Sequence, residues 1–167
     1  MLPEPTARLR FRPMRTSDLD DMTAVLSAFD PVRPGHRRRT RDDAVRWIEW
    51  QERNYAEHDF GLWVVETHDG TFVGDCGLTV QDVEGVPHVE VGYHVMPELR
   101  RQGHATEAAR SVRDCAAAHG VEHLVALIRP ENTPSQGVAR NLGMVLERRA
   151  QVHGAEALVF GMRLAQS

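Results

Sequence analysis

The sequence predicts an α/β domain built on a single mixed, mostly antiparallel sheet of about seven strands, flanked by about four helices. Three observations carry the prediction. Seven short segments read as strands, by period-two alternation, a continuous apolar run or a terminal hairpin, and four others carry apolar residues at helical spacing. Most neighbouring strands are linked as hairpins or a meander, but one strand–helix–strand crossover interrupts them. The 167 residues suffice for one core and leave little room for a second, so residues 1–167 read as a single domain.

In chain order, RLRFRPM (8–14) alternates Leu9 and Phe11 with Arg10 and Arg12, as a half-buried strand does. Ser17 offers an N-cap to a first helix marked by Leu19, Met22, Leu26 and Phe29, with Asp18 and Asp20 in its first turn. PVRPGHRRRTR (31–41) carries Arg33, Arg37, Arg38, Arg39 and Arg41 with two prolines and a glycine, and reads as a basic loop. Thr40 and Asp43 form a capping box for a second helix carrying Ala44, Val45, Ile48 and Tyr55. LWVVET and TFVGDCGLTV flank the turn HDG, and HVEVGYHV follows a loop QDVEGVP, which completes a three-strand meander. Ala105, Ala108, Ala109, Val112, Cys115 and Ala116 give a third helix with a small-residue face, stopped at Gly120. HLVALI (123–128) is an apolar run suited to a central strand. A loop RPENTPS, a short helix ending in LGM, and strands 145–152 and 157–164 around HGAE close the chain. The crossover from 88–95 through the third helix to 123–128 is the expected place for a ligand.

Composition removes several classes of function. All 20 basic residues are arginine, which excludes lysine Schiff bases and lysine phosphate clamps. A net charge of −4 speaks against nucleic-acid binding by the whole domain. Cys76 and Cys115 cannot build a disulfide framework, and no cysteine or histidine spacing suits a metal. No apolar run reaches the ~18 residues of a membrane span and the first residues hold no apolar signal core, so the expected setting is a reducing cytoplasm.

The segment HVMPELRRQGHATEAA runs a strand into a glycine loop that opens a helix. Gly103 and Ala105 let an anion approach the backbone, the first helical N–H groups have no internal partner, and Arg100 and Arg101 stand beside them. An ordinary loop opening a helix uses the same glycine. The full pattern Arg100-x-x-Gly103-x-Ala105 resembles the R/Q-x-x-G-x-G/A signature of the GNAT acyltransferases. LRFRPMRTSDLDDM is similar to that superfamily's first strand and helix, and ENTPSQGVARNLGM to its segment after the fifth strand, with Met144 at a position usually held by Phe. EVGYHV followed by GHATEA is most similar to the branch of RimJ and RimL type ribosomal-protein N-acetyltransferases.

The resemblance implies acetyl-CoA as donor, held in a gap splayed between the fourth and fifth strands, without a metal. It carries cofactor binding to Val95, Met96, Arg100, Arg101, Gln102, Gly103, His104 and Ala105, and to Asn132, which also reads as a plain helix cap. Acyl transfer to an amine needs a base, a donor for the developing oxyanion and a proton for the leaving thiolate. Glu90, an acid in an apolar strand with Gly92 and His94 on its face, is the candidate base; it also reads as a structural partner of an arginine. His94 could relay a proton, and a backbone N–H near Val95 suits the oxyanion. Many relatives protonate the thiolate from a tyrosine, but Ala139 stands at that position here, leaving Ser135 as the nearest substitute.

The expected activity is N-acetylation of a primary amine, a protein N-terminal α-amine ahead of a small-molecule amine. Trp47, Trp50, Tyr55 and the arginines of 31–41 border the acceptor side, and those arginines favour an acidic acceptor. A CoA-binding sensor that has lost catalysis is the alternative. The chain is expected to be a monomer, or a homodimer through the edge of its C-terminal hairpin.

Overall fold

A computed structural model describes residues 1–29 and 38–165. The strands are β1 (Leu9–Arg12), β2 (Leu62–Thr67), β3 (Phe72–Val83), β4 (Val86–Val95), β5 (His123–Ile128), β6 (Val145–Val152) and β7 (Ala155–Arg163). The helices are α1 (Leu19–Ala28), α2 (Arg41–His58), α3 (His104–Ala118) and α4 (Thr133–Asn141). They form one sheet in the order β1-β2-β3-β4-β5-β7-β6, antiparallel except for the β4–β5 pair.

Two apolar layers sandwich the sheet. On one face Leu9, Trp63, Leu78, Val91, Leu124 and Phe160 pack with Ala108, Ala109 and Val112 of α3 and with Ala139 of α4. On the other, Leu62 and Val64 meet Met22, Val25 and Leu26 of α1 and Ala44 and Ile48 of α2. The alanine face of α3 brings its backbone close to the sheet, and Gly120, at φ +81, ends the segment as expected.

Three local expectations are corrected. Ser17 does not cap α1: residues Thr16–Asp18 make a short 3-10 turn, and the Asp18 carboxylate accepts from the Arg15 N–H at 2.8 Å and from the Arg12 guanidinium at 2.7 Å and 2.9 Å. A carboxylate beside an arginine outcompetes a serine hydroxyl for the chain turn. Val45 is exposed, while Ala44, Ile48, Gln51 and Asn54 carry the buried face of α2. QDVEGVP is not a loop, since β3 and β4 stay paired from Gly74↔Val95 to Val83↔Val86 and turn only at Glu84 and Gly85, both at positive φ. That turn matches strand twist. The Thr40–Asp43 capping box forms as expected, with the Thr40 N–H donating to Asp43 at 2.7 Å.

The feature that positions the site is the brevity of the β4–β5 ladder. Its register pairs are Val89↔Leu124 and Glu90↔Val125, while Val91 to Val95 continue against β3 alone. The two strands therefore part beyond Glu90 and open a wedge.

Candidate functional site

The wedge is lined on the β4 side by Gly92 to Met96, all half-buried. Met96 N–H donates to the Val73 carbonyl at 2.8 Å, in the register that pairs β3 with β4. An antiparallel ladder alternates, so the N–H and C=O groups of Tyr93 and Val95 turn away from β3 toward the wedge. The Val95 carbonyl receives Nε of Arg100 at 3.2 Å, leaving its N–H as the outward donor. Both backbone groups of Met96 are engaged, its carbonyl by the Leu99 N–H at 2.9 Å. Gly74 faces Val95, and a Cβ there would lie 1.8 Å from the His94 carbonyl, so only glycine lets β3 approach this stretch.

At the mouth, Pro97–Leu99 form a 3-10 turn, Arg101 adopts φ +61, and Gly103, at φ +80, is the N-cap of α3. The N–H of Glu107 bonds the Gly103 carbonyl, so the N–H groups ahead of it in this turn have no intrahelical acceptor. Arg100, Arg101, Gln102 and Gly103 are exposed, Ala105 is half-buried, and His104 is buried with Nδ1 lacking a partner. Arg8, from β1's approach, joins this loop: it donates to the Gln102 carbonyl at 2.8 Å and pairs with Glu107 at 2.6 Å. A groove of about 720 Å³ passes the same turn, lined among others by Thr6, Arg8, Gly103, Thr106, Arg110 and Asn141. The sequence held no signal for Arg8, which reaches the loop only through the fold.

Glu90 sits where β4 and β5 part. Its carboxyl accepts from Thr79 Oγ1 at 3.3 Å and from the backbone N–H of Leu127. Both partners are neutral, and among the described residues no arginine pairs with it. Loss of water on burial pushes its pKa from 4.5 to about 7, against the smaller opposing pull of those hydrogen bonds and of His94. The residue as a whole is half-buried. His94, on the same face, meets Asp75 at 2.7 Å, and Trp47 Nε1 donates to the other oxygen of Asp75 at 3.1 Å. Asp75 was missed at the level of sequence because its partner lies across the sheet.

On the opposite face Tyr93 is half-buried in the core, and its hydroxyl donates to the Ser135 carbonyl at 2.8 Å. Ser135 is half-buried in the first turn of α4, and its N–H donates to Asn132 Oδ1 at 3.2 Å, so Asn132 caps that helix. Ala139 is enclosed and carries no acid. On α2, Trp50 packs edge-on against Trp47, and the Arg39 guanidinium lies 5.4 Å from the Trp47 ring centre, its buried Nη1 without a partner among the described residues. The Tyr55 hydroxyl donates to the Leu62 carbonyl and accepts from the Met14 N–H at 3.0 Å, so it is committed within the structure. Arg33 and Arg37 fall outside the described residues. Among the described residues no cluster of histidine, cysteine or carboxylates is arranged to hold a metal, and no helix is long and apolar enough to cross a membrane.

Comparison with known proteins agrees with this arrangement. Residues 8–145 match the acetyltransferase (GNAT) domain family. YkkB of Bacillus subtilis (strain 168), an uncharacterized protein, is 31% identical over 146 residues, covering 83% of each chain. Among solved structures, a GNAT-family acetyltransferase from Bordetella pertussis superimposes with a TM-score of 0.80 at 23% identity, over 96% of this chain and 99% of its own. Mycobacterium smegmatis RimJ, solved with a CoA disulfide, gives 0.72 at 25% identity, over 98% and 90%. The wedge, the arginine–glycine turn and the match over most of the chain lead to one assignment: the protein belongs to the GNAT acetyltransferase family.

Proposed function

We propose that the protein acetylates a primary amine from acetyl-CoA, with a protein N-terminal α-amine preferred to a small-molecule amine. The observation that carries this reading is Glu90, a carboxyl at the fork of two strands whose raised pKa of about 7 matches the working range of a general base. The open N–H of Val95 and the first turn of α3 suit an amide-rich, phosphate-bearing ligand, and Arg100 and Arg101 add positive charge beside that turn. Asn132 Nδ2 and the loop backbone from Gln102 through His104 to Ala105 complete the binding surface. Met96 contributes shape, because its backbone groups are committed elsewhere. Acetyl-CoA would supply an activated thioester.

The chain's own residues do the remaining work. Glu90 takes a proton from the acceptor ammonium, the Val95 N–H meets the carbonyl oxygen as it gains charge, and the Ser135 hydroxyl lies in the first turn of α4 as donor toward the thiolate. Arg39 over Trp47, with a buried nitrogen unpaired among the described residues, supports an acceptor that carries a carboxylate. The enclosed Ala139 favours a second reading, a CoA-binding domain without turnover.

The test measures acetyl-CoA binding by calorimetry and thiol release with a panel of small amines and short peptides with free N-termini. Binding with amine-dependent thiol release is expected, rising with pH through about 7 as Glu90 ionises. Glu90→Gln should lose that limb, falling about 100-fold at neutral pH and recovering as the amine deprotonates unaided. Binding without thiol release would establish the second reading, and no binding would overturn both.

A further inference from the structure

We propose that Arg8 is a positioning residue for the donor's phosphates: it turns the Gln102–Gly103 peptide so that the Gly103 N–H faces outward, and it masks the acid in the first turn of α3. The proposal rests on the acetyl-CoA reading of that turn. It explains how a turn that carries a carboxylate can still receive an anion.

The peptide is oriented from outside the turn. Arg8, the residue before β1, donates from Nη1 to the Gln102 carbonyl at 2.8 Å, across 94 positions of sequence. The chain has no cis peptide among its described residues, and in a trans peptide the C=O and the following N–H point to opposite sides. With the Gln102 carbonyl drawn to Arg8, the Gly103 N–H points away from Arg8, and it has no backbone acceptor among the described residues. Arg101 and Gly103 flank this peptide at φ +61 and +80, and an L residue such as Arg101 keeps that conformation only where its surroundings enforce it. Arg8 Nη2 lies 3.4 Å from where a Cβ on Gly103 would stand, so the guanidinium rests against the turn itself.

The same guanidinium deals with the charge. Glu107 stands in the first turn of α3, its N–H bonded to the Gly103 carbonyl at 3.0 Å. Burial raises its pKa, but hydrogen bonds from Thr6 and Arg8 hold it below the usual carboxylate value, so it is ionised at neutral pH. Bare, that anion would oppose a phosphate at the same helix end. Its Oε1 accepts from the Thr6 hydroxyl at 2.6 Å and the Arg8 backbone N–H at 3.0 Å, and its Oε2 from Nε and Nη2 of Arg8, both at 2.6 Å. All three guanidinium nitrogens of Arg8 are thus engaged by the turn and its acid, and the exposed Arg100 and Arg101 remain as the cations beside the ligand. His104 adds no charge there at neutral pH, because burial and the nearby Arg8 lower its pKa.

The experiment compares the unaltered protein with Arg8→Gln, Arg8→Lys and the double variant Arg8→Gln/Glu107→Gln. Each is assayed with acetyl-CoA and with S-acetylpantetheine, a thioester with the same arm and no phosphates. Arg8→Gln is expected to raise Kd and KM for acetyl-CoA about tenfold or more, with kcat at saturation unchanged and S-acetylpantetheine turned over at the parent's rate. Arg8→Lys should recover part of the loss, since an ammonium keeps the charge but lacks the fork that spans both partners. The double variant should bind acetyl-CoA more tightly than Arg8→Gln, because no unmasked acid remains. In nitrogen-15 NMR of the unaltered protein, the Gly103 amide should move on addition of CoA and stay in place with pantetheine. Parent-like affinity in Arg8→Gln, an equal loss with S-acetylpantetheine, a double variant no tighter than the single one, or an unmoved Gly103 amide would each overturn the proposal while leaving the acetyl-CoA reading in place. Absence of acetyl-CoA binding by the unaltered protein would overturn both.

Discussion

A carboxyl stripped of water on folding holds its proton more tightly in the folded chain than in the unfolded one, and Glu90, moved from 4.5 to about 7, is such a group. Between those pH values the folded state binds more protons, so this residue's contribution to stability is intact below about 4.5 and is lost as pH rises through about 7. Above that the cost is on the order of 2 to 3 kcal/mol, at about 1.36 kcal/mol per unit, trimmed by the residue's partial exposure. Glu90→Gln is therefore expected to melt higher than the parent at pH 8, the gap closing by pH 4. Thermal unfolding at both pH values checks this, and a lower melting point at pH 8 would count against a strained carboxyl. At this scale Glu90 was legible, because an acid in the run VEVGYHV is conspicuous without any structure. Asp75 was not. In GDCG it reads as one polar residue of a hairpin strand, and its meaning comes from pairing with a residue 19 positions away.

Among the elements, the first turn of α3 owes its place to the stripe of alanines beneath it. Ala108 and Ala109 are 2% and 0% exposed against the sheet, so the helix cannot rise without moving the turn at Gly103. Ala109→Leu is expected to cost about 1–3 kcal/mol by overpacking and to weaken acetyl-CoA binding through the displaced turn. Urea unfolding and calorimetry on the same variant read the two effects. Normal affinity in a destabilised variant would show that the turn is held from elsewhere, by Arg8 for instance. The small-residue stripe was plain in the sequence, and so was the helix. The tip of the β3–β4 hairpin was not, because Asp82 and Pro87 look like loop chemistry. Pro87 pairs with Asp82 at a position whose N–H points away from β3, so the missing donor costs the ladder nothing there.

For the whole molecule, the seven-stranded sheet is two sheets sharing a short seam. β1 to β4 form one antiparallel half, β5, β7 and β6, in that order, form another, and the backbone register between them spans Val89↔Leu124 and Glu90↔Val125. The order of elements allowed this topology to be anticipated, since a single crossover can make only one parallel pair. The length of the seam was not foreseeable from composition, because it depends on where β4 stops following β5. Cooperative units in a protein divide where few contacts cross. Amide hydrogen exchange is expected to resolve two protection classes, one for each half, with the amides of β4 beyond Glu90 among the fastest in the sheet interior. A single uniform class would show that the apolar core shared beneath α3 and α4 welds the halves. A ligand seated in the wedge touches both halves and binds only when they are folded together, so it stabilises their joint state by mass action. The unliganded chain should therefore unfold with a calorimetric enthalpy larger than its van't Hoff enthalpy, and saturation with acetyl-CoA should bring the two together, turning a pair of loosely coupled folding units into one.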